Sequence, residues 1–356
     1  MAKRTIMVMA GGTGGHIFPG LAVAKELTAR GWKVVWLGAE GGMETRLVPE
    51  HGFAIETVRI RGVRGNGVAR KLALPFVMAG ALVKSAAVIF RHRPDIAIGF
   101  GGYTGFPGGL MTRFFWKPLV VHEQNSVAGL TNRLLSRVAS RTLFAFPGAF
   151  PGRDGLVGNP VRADIAGIAP PAARFANRSG PLRVLVVGGS LGAKVFNDTV
   201  PAALARIPAG QRPLVVHQAG AKAIAELQAN YAKAGVTADC RAFIADMAAE
   251  YAAADVVICR AGALTVAELA AAGVGSLLVP YPHAVDDHQT GNARFLADAG
   301  AATLLPQTDF NAEGLAAWLA TLSRDDCLAM AEKARALALT DAAARVADVC
   351  EALTQE

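Results

Sequence analysis

The sequence is poor in cysteine and in aromatic residues. It has only four cysteines, and no pair of them has the spacing of a metal-ligand set or a redox motif. This scarcity favours a reducing cytoplasm over the disulfide-rich class of secreted domains. Aromatic residues make up 7% of the chain, whereas 39 of its 356 residues are glycine. Such a composition favours α/β layers joined by tight turns over an all-β fold, and the length predicts two domains.

The N-terminus lacks the features of a signal peptide. Residues 1–12 (MAKRTIMVMAGG) have a charged start but only a short apolar run. The run leads into a glycine-rich loop and not into a small-residue cleavage site, so it predicts the first strand of a domain.

Acidic residues are scarce in the first half of the chain. Residues 1–160 hold 20 Lys and Arg against 8 Asp and Glu, whereas residues 161–356 hold 16 against 20. No acidic residue occurs between Thr57 and Pro94. This asymmetry predicts that the first half meets an anionic partner, either nucleic acid or an anionic membrane surface.

Two segments share the order of apolar run, glycine-rich loop and helical pattern. Residues 5–10 precede GGTGGH at 11–16, and residues 182–187 precede GGSLGA at 188–193. Each is typical of the opening unit of a doubly wound α/β domain. The aperiodic segment 161–181 predicts the domain boundary. Six more apolar runs predict parallel strands covered by helices: 33–38, 96–100, 118–123, 213–218, 255–259 and 276–280.

The two loops exclude some motifs and match others. Read from Gly12, the third glycine of G-x-G-x-x-G would fall at Ile17, and no Walker lysine follows. The second loop matches G-x-S-x-G, the nucleophile elbow of α/β hydrolases, so a serine hydrolase built on Ser190 is a rival interpretation. A serine hydrolase of this kind would leave the first domain without a function. Its acid would be Asp255, and its histidine would be either His283 or His288.

A further glycine cluster and a further single glycine follow predicted strands. One spans residues 99–105, and the other is Gly262, which leads into a helical pattern. Free backbone N–H groups at a helix start favour anionic groups such as a diphosphate. Glu268 lies about one turn into this helix, where its carboxylate could accept hydrogen bonds from ribose hydroxyls.

The chain thus carries six motifs in order: GGTGGH at 11–16, GGYTGFPGG at 101–109, HEQN at 122–125, GNPVR at 158–162, GGSLGA at 188–193 and CRAGALTVAEL at 259–269. The series resembles the signature motifs of the MurG family over almost the whole chain. These bacterial enzymes add N-acetylglucosamine to lipid I, which forms the peptidoglycan precursor lipid II.

The resemblance implies an α/β fold of the GT-B class, in which two Rossmann-like domains have the active site in the cleft between them. Residues 1–162 would bind the acceptor and the membrane, and residues 163–340 would bind the UDP-sugar. A C-terminal helix in 341–356 would return to the first domain. No cofactor is implied. The implied partners are UDP-N-acetylglucosamine, undecaprenyl-linked lipid I and an anionic membrane, with cell-wall synthesis proteins as further candidates and no nucleic acid.

The resemblance also implies donor contacts at matching positions. Ser190 becomes a phosphate-loop hydroxyl, the backbone of Ile244 reads the uracil edge, and Gln289 contacts the sugar. The family often has two glutamines where this chain has His288-Gln289, which bears on the sugar contacts. The full implied set is Thr13, Gly14, Gly15, Asn125, Arg162, Ser190, Ile244, Ala263, Leu264, Thr265, Val266, Ala267, Glu268 and Gln289.

A single displacement with inversion needs a base for the attacking hydroxyl and stabilisation of the leaving diphosphate. His16 is the candidate base, because an imidazole accepts a proton near neutral pH. The alternative is that it caps the turn or binds acceptor phosphate. Glu123 is a second candidate. The sequence has no D-x-D spacing at Asp286-Asp287 to hold a metal, so we predict no tightly bound metal ion.

An apolar stretch inside the basic region, residues 72–90, predicts a helix on the membrane surface. Pro75 and Lys84 argue against a membrane span, and exposed apolar residues argue against nucleic acid. A buried core helix is the remaining alternative. On a helical wheel Phe76, Val83 and Phe90 share one face, opposite Met78, Leu82 and Ile89. The predicted acceptor and membrane residues are Arg64, Arg70, Lys71, Phe76, Leu82, Lys84, Gly101, Gly102 and Tyr103.

The predicted location is the cytoplasmic face of the inner membrane, as a peripheral protein. Other UDP-sugar enzymes of the GT-B class, such as a glycolipid glucosyltransferase or an epimerase, remain alternatives. An epimerase would have no need of a membrane. A non-enzymatic regulator that binds nucleotide sugars would need neither an acceptor site nor a basic first half.

Overall fold

The computed structural model of the protein describes residues 4–60, 68–189 and 192–355, with the backbone alone for residues 68–73. Of the predicted site residues, Arg64 and Ser190 lie outside these ranges, and so do the side chains of Arg70 and Lys71. The chain forms two compact units, one of Met1–Arg162 with Leu339–Glu356 and one of Ala163–Ala338.

The first unit contains a six-stranded sheet in which every neighbouring pair is parallel. The strands are β1 (Thr5–Met9), β2 (Lys33–Ala39), β3 (Ala54–Val58), β4 (Ile96–Gly99), β5 (Leu119–Glu123) and β6 (Arg141–Phe144). Their order across the sheet is β3-β2-β1-β4-β5-β6. The central strands β1, β4 and β5 are buried along their whole length, because helices cover both faces of a parallel sheet.

Alternation along the strands divides the apolar residues of this unit between two core layers. Ile6 and Val8 pack in one layer with Ile17, whereas Met7 and Met9 pack in the other. The covering helices are α1 (Gly14–Ala29), α2 (Glu44–Glu50), α3 (Val68–His92), α4 (Gly105–Phe114) and α5 (Leu130–Leu135), with a 3-10 turn at Pro147–Ala149.

The second unit opens with two short helices in the segment predicted as the domain boundary, α6 (Ala163–Ala166) and α7 (Pro171–Phe175). This segment is anchored by arginines. Arg174 donates to the carbonyls of Tyr251 and Ala272 at 3.3 and 2.9 Å. The division between the two units falls just before it, between Arg162 and Ala163.

The sheet of the second unit repeats the topology of the first. Its strands are β7 (Arg183–Val187), β8 (Leu214–Gln218), β9 (Asp239–Arg241), β10 (Val256–Cys259), β11 (Gly275–Leu278) and β12 (Ala302–Leu304). Their order is β12-β11-β10-β7-β8-β9, again with every pair parallel. The helices that follow α7 are α8 (Lys194–Ala205), α9 (Ile224–Ala234), α10 (Met247–Ala253), α11 (Ala263–Ala272), α12 (His288–Ala297), α13 (Ala312–Thr321) and α14 (Arg324–Ala336), with 3-10 turns at Ala209–Gln211 and Val285–Asp287.

The last helix, α15 (Ala342–Ala352), belongs to the first unit. Val346 and Cys350 are fully buried in the core layer that contains Leu27 of α1. Arg30 at the end of α1 pairs with Asp348 and Glu351 at 2.6 and 3.0 Å. Apolar burial and ion pairing therefore both hold the C-terminal helix on α1.

In both sheets the strand order reverses between the first and the fourth strand of the unit, that is, between β1 and β4 and between β7 and β10. Ligands of doubly wound folds bind at such switch points, beyond the carboxyl ends of the strands. All four glycine clusters singled out in the sequence follow these four strands. The topology thus marks one candidate ligand site in each unit.

Candidate functional site

At the first switch point, the loop after β4 contacts the loop after β1. Gly101 has a φ of +96°, and a β-carbon there would lie 3.2 Å from Cε1 of His16. Gly102 has a φ of +79° and faces the Gly11 carbonyl. Glycine is needed at both positions because the backbone is left-handed and the neighbouring loop approaches closely. The predicted acceptor residue Tyr103, next in the chain, is 48% exposed.

His16 lies in the first turn of α1, where its side chain is half-buried. Its Nδ1 is 2.7 Å from Oε1 of Gln124. Thr13, the residue before the helix, is exposed, and Gly14 and Gly15 are half-buried. The N-cap residue Thr13 makes no side-chain cap hydrogen bond to α1. The helix start thus offers backbone N–H groups and an oriented imidazole at one place.

Glu123, the second candidate base, is 1% exposed and surrounded by donors. Its Oε1 accepts from the backbone N–H and the side-chain amide of Asn125 at 2.9 and 3.3 Å. Its Oε2 accepts from Gly129 N at 3.0 Å and from Asn132 Nδ2 at 2.8 Å. Four donors fill the lone-pair directions of a carboxylate. These contacts argue against Glu123 as the base and make it the support of the loop that carries Asn125.

Glu44 is a polar residue of this site that the sequence analysis missed. It is completely buried, and it accepts from Ala39 N at 2.7 Å and from Gly12 N at 3.2 Å. A β-carbon at Gly42 would lie 2.5 Å from the Glu44 carboxylate, so the surrounding backbone approaches as closely as glycine permits. Glu44 therefore supports the first glycine loop through its hydrogen bond with the backbone N–H of Gly12. A glutamate next to a Gly-Gly pair, as in GGME at 41–44, was the available signal.

The second switch point places the loop after β7 beside the start of α11. Gly189 and Gly192 have φ values of +92° and +74°, and a β-carbon on Gly192 would overlap the Ala219 carbonyl. Helix α11 begins at Ala263, and its N-cap residue Gly262 has no side chain that could cap it. Ala263 and Val266 are buried, whereas Leu264, Thr265 and Ala267 are half-buried. The N–H groups at this helix start are therefore available to an anion.

Glu268 lies in the second turn of α11 and is only 7% exposed. Tyr251 of α10, itself 1% exposed, donates its hydroxyl hydrogen to Glu268 Oε2 at 3.3 Å. Glu268 therefore lies beside the helix start, and its role as a ribose-binding carboxylate stays a prediction. Tyr251 was not foreseen, because nothing in the sequence links α10 to α11.

Gln218 joins the second glycine loop to the predicted donor position Ile244. It lies at the end of β8 and is 3% exposed. Its Nε2 donates to the Gly189 carbonyl at 2.9 Å, and its Oε1 accepts from Ile244 N at 3.3 Å. Because the N–H of Ile244 is engaged in this way, its carbonyl is the group that remains for a base edge. Gln218 lies outside the sequence motifs.

The remaining donor candidates lie on loops and helix starts. Gln289, in the first turn of α12, accepts from Tyr281 N at 2.9 Å through its amide oxygen. His288 bonds through Nδ1 to the Val285 carbonyl at 2.7 Å, so it serves the turn. Arg162, the last residue of the GNPVR motif, is half-buried.

The acid proposed for a serine hydrolase has another role. Asp255 is fully buried and pairs with Arg178 at 2.5 Å and with Arg324 at 3.4 Å. It also accepts from Arg183 N at 2.8 Å. These partners leave Asp255 no part in orienting a catalytic histidine, so the hydrolase interpretation loses the acid that it named. Within the described ranges no group of three or more His, Cys, Asp or Glu side chains is arranged to hold a metal ion.

One face of helix α3 is exposed and the opposite face is buried. Phe76, Val83 and Phe90 are 82%, 71% and 72% exposed, whereas Ala81 and Ile89 pack in the core beneath the helix. Lys84 is exposed and Leu82 is half-buried. Phe114 and Trp116, at and just beyond the end of the neighbouring helix α4, are 69% and 87% exposed. Among the described residues, one helical stretch is long and apolar enough to cross a membrane by length and composition alone, Leu74–His92.

Comparison with known proteins covers both units. The glycosyltransferase family 28 N-terminal domain matches residues 6–144, and the glycosyltransferase family 28 C-terminal domain matches residues 183–348. The chain is 60% identical over 352 residues to the UDP-N-acetylglucosamine--N-acetylmuramyl-(pentapeptide) pyrophosphoryl-undecaprenol N-acetylglucosamine transferase of Ralstonia nicotianae, covering 98% of this chain and 96% of the relative. It is 61% identical over 350 residues to the protein of that name from Aromatoleum aromaticum, covering 98% of both.

Solved structures agree with the topology. The crystal structure of Acinetobacter baumannii MurG matches with a TM-score of 0.87 at 44% identity, covering 98% of this chain and 99% of that chain. Glycosyltransferase VinC in complex with dTDP matches with a TM-score of 0.67 at 15% identity, covering 99% and 100%, which shows the fold alone. The predicted GT-B fold and the predicted enzyme class are confirmed. The chain belongs to glycosyltransferase family 28 and, within it, to the MurG group.

Proposed function

We propose that this protein transfers N-acetylglucosamine from UDP-N-acetylglucosamine to the lipid-linked muramyl-pentapeptide acceptor, converting lipid I to lipid II in peptidoglycan synthesis. The relatives that are about three-fifths identical over nearly the full length bear the name of this activity. One structural observation supports this glycosyl transfer. A glycine loop with an oriented histidine lies at one switch point, and an uncapped helix start with a buried carboxylate lies at the other.

The donor binds mainly to the second unit in this proposal. The N–H groups at the start of α11, together with the loop that contains Ser190, face the diphosphate, because a helix start stabilises negative charge. Glu268 accepts hydrogen bonds from the ribose, and the Ile244 carbonyl accepts from the uracil. The Gln289 amide donates to the sugar. The first unit contributes Thr13, Gly14, Gly15, Asn125 and Arg162.

The reaction is one displacement in this scheme. An acceptor sugar hydroxyl attacks the anomeric carbon, a new carbon–oxygen bond forms, and the bond from that carbon to the diphosphate oxygen breaks. UDP leaves with the bonding electron pair, and the hydroxyl proton passes to the imidazole of His16. The configuration inverts. No covalent sugar–enzyme intermediate forms, so the mechanism requires no nucleophilic side chain.

The acceptor is membrane-borne, so the enzyme must dock on a membrane, and helix α3 is the proposed docking element. Its outward face presents Phe76, Val83 and Phe90 beside Lys84. Its inward face packs on the sheet through Ala81 and Ile89. If α3 crossed the membrane, these core residues of the first unit would lose their packing partners. Interfacial binding through one apolar face with basic flanks meets both constraints. The location proposed is the cytoplasmic face of the inner membrane.

Incubation of the protein with radiolabelled UDP-N-acetylglucosamine and a lipid I analogue tests the proposal. Labelled lipid product is expected, and parallel reactions with UDP-glucose distinguish a glucosyltransferase. An epimerase would instead convert the free nucleotide sugar without any lipid. His16→Ala should lower kcat by roughly a hundredfold to ten-thousandfold, as for loss of a general base. Near-normal kcat with only a raised acceptor KM would overturn the base role.

A further inference from the structure

His16 is the end of a chain of hydrogen bonds that begins in the core of the first unit. His122 Nε2 lies 2.9 Å from the Gly158 carbonyl oxygen. His122 Nδ1 lies 3.0 Å from Gln124 Nε2, and Gln124 Oε1 lies 2.7 Å from His16 Nδ1. The chain therefore runs from Gly158 through His122 and Gln124 to His16. His122 and Gln124 are buried, with exposures of 0% and 1%.

The protonation of His122 follows from its partners. A backbone carbonyl only accepts hydrogen bonds, so the nitrogen that faces the Gly158 carbonyl must carry a hydrogen. Complete burial lowers the pKa of His122 to about 4, because desolvation disfavours the charged ring. The ring is therefore neutral at physiological pH. With its hydrogen on Nε2, His122 has a bare Nδ1 that can only accept.

The orientation of the Gln124 amide follows next. Its nitrogen faces two acceptors, the bare Nδ1 of His122 and the His122 carbonyl oxygen at 2.8 Å. A flipped amide would place an oxygen against both acceptors and leave both contacts repulsive. The amide oxygen must therefore face His16. A glutamine oxygen has no hydrogen to give, so His16 Nδ1 must be the donor.

We infer that Gln124 and His122 are positioning residues that hold His16 in its Nδ1–H tautomer, so that the Nε2 lone pair accepts the proton of the acceptor hydroxyl. This inference deepens the proposed function and rests on the assignment of His16 as the base. The two histidines take opposite tautomers, Nε2–H in His122 and Nδ1–H in His16. The contact persists when the base takes up its proton, because Nδ1–H donates to the same oxygen in both states.

Two substitutions of one residue separate positioning from mere structural support. Gln124→Met and Gln124→Glu both remove the donor to His122 while keeping a side chain of similar length. Only Gln124→Glu keeps an oxygen that can accept from His16 Nδ1–H. We expect kcat to fall roughly tenfold to a hundredfold in Gln124→Met, less than for loss of the base itself. Donor and acceptor KM should stay within about twofold, because the tautomer affects the proton-transfer step.

In Gln124→Glu we expect partial recovery of kcat and an acid limb of the kcat profile that moves to higher pH. A carboxylate in contact with the ring favours its protonated form, so more alkaline solution is needed to keep the base free. Loss of support for the HEQN loop would instead lower kcat equally in both variants. Equal losses with an unmoved pH profile would overturn the inference.

Nitrogen-15 NMR of histidine-labelled protein reads the tautomers directly, without any turnover. The wild type should show His16 with a protonated Nδ1 and a pyridine-type Nε2, and His122 with the reverse. Gln124→Met should abolish the preference at His16, whereas His217, buried in the other unit, should keep its signals. An Nε2–H tautomer at His16 in the wild type would refute the inference even if glycosyl transfer is confirmed. Absence of transfer with the expected tautomers would refute the proposed function instead.

Discussion

A β-carbon on Gly102 would lie 2.5 Å from the carbonyl oxygen of Gly11, so the loops after β4 and β1 meet backbone to backbone. Real β-carbons do not approach an oxygen so closely, and the φ of +79° at Gly102 disfavours any other residue. The loops after β4 and β1 therefore pack closely against each other beside His16.

Gly102→Ala should separate these loops and lower glycosyl transfer by at least about tenfold, since small displacements of catalytic groups reduce rates strongly. The matched control is Gly210→Ala, where a β-carbon would meet open space and φ is not left-handed. Circular dichroism should show both variants folded. Normal kcat in Gly102→Ala would mean that the first loop can shift without effect on the chemistry.

Glu268 and Tyr251 should act together on the donor. Glu268→Ala should weaken UDP binding, and Glu268→Asp should restore little of it, because the shorter side chain cannot reach the ribose. Tyr251→Phe removes the hydroxyl that donates to the Glu268 carboxylate, and a lost hydrogen bond of this kind corresponds to roughly threefold to tenfold in affinity. Calorimetric titration with UDP measures all three variants. Wild-type affinity in Glu268→Ala would remove this residue from the site.

The outward face of α3 should control membrane binding. Phe76→Ser, Val83→Ser and Phe90→Ser combined should lower binding to anionic vesicles by at least about tenfold, because less apolar area is buried in the interface. The control is Leu214→Ser, which changes an apolar side chain of the second unit that is 56% exposed. Liposome sedimentation gives the readout.

The basic residues of the same region should give this binding its salt dependence. Changing Arg64, Arg70, Lys71 and Lys84 together to Gln should weaken binding at low salt and have little effect at high salt, where the charges are screened. Sedimentation that is equal for neutral and anionic vesicles would contradict the electrostatic part of the docking model.

Two buried histidines should make stability depend on pH. Burial lowers the pKa of His122 to about 4 and that of His217 to about 3, from an ordinary value of 6.5. The unfolded chain therefore binds more protons than the folded chain below pH 6.5, and stability falls as the pH falls from 6.5 towards 4. The loss is up to about 3 kcal/mol for His122.

Urea unfolding at a series of pH values measures this effect. The midpoint should be constant above pH 7 and decline between pH 6.5 and 4. In His217→Phe, which keeps a ring against Tyr231 but cannot take up a proton, the decline should be shallower. The informative quantity is the pH slope, since the substitution also changes stability at neutral pH. A slope identical to that of the wild type would show that His217 titrates normally.

The eight strands predicted from apolar runs are all present, and each is close to its predicted limits. The four strands that were not predicted are β3, β6, β9 and β12, the edge strands of the two sheets. An edge strand pairs on one side only and is partly exposed, as in β9, so it needs no continuous apolar run. The pattern that reveals a buried parallel strand is therefore absent from the edges.

The glycine loops that the sequence singled out lie at the two switch points, whereas three buried polar side chains beside them were missed. Spacing placed glycine clusters after the strands that flank the switch points, because strand, loop and helix are consecutive in the chain. Glu44, Gln218 and Tyr251 were missed because each reaches its partner from a different element of the fold. Glu123 was named as a candidate base because its burial and its four hydrogen bonds depend on the fold, and the identity of the residue does not predict them.

The sequence by itself determined the doubly wound class, the glycine loops at the ends of four strands and the family resemblance, since these depend on local order along the chain. Only the tertiary structure decided the edge strands, the outward face of α3 and the contacts that hold α15 on α1. It also decided the tautomer that we infer for His16, because a histidine tautomer depends on which acceptor faces each ring nitrogen. For His16 that acceptor is Gln124, 108 residues away in the chain and 2.7 Å away in space.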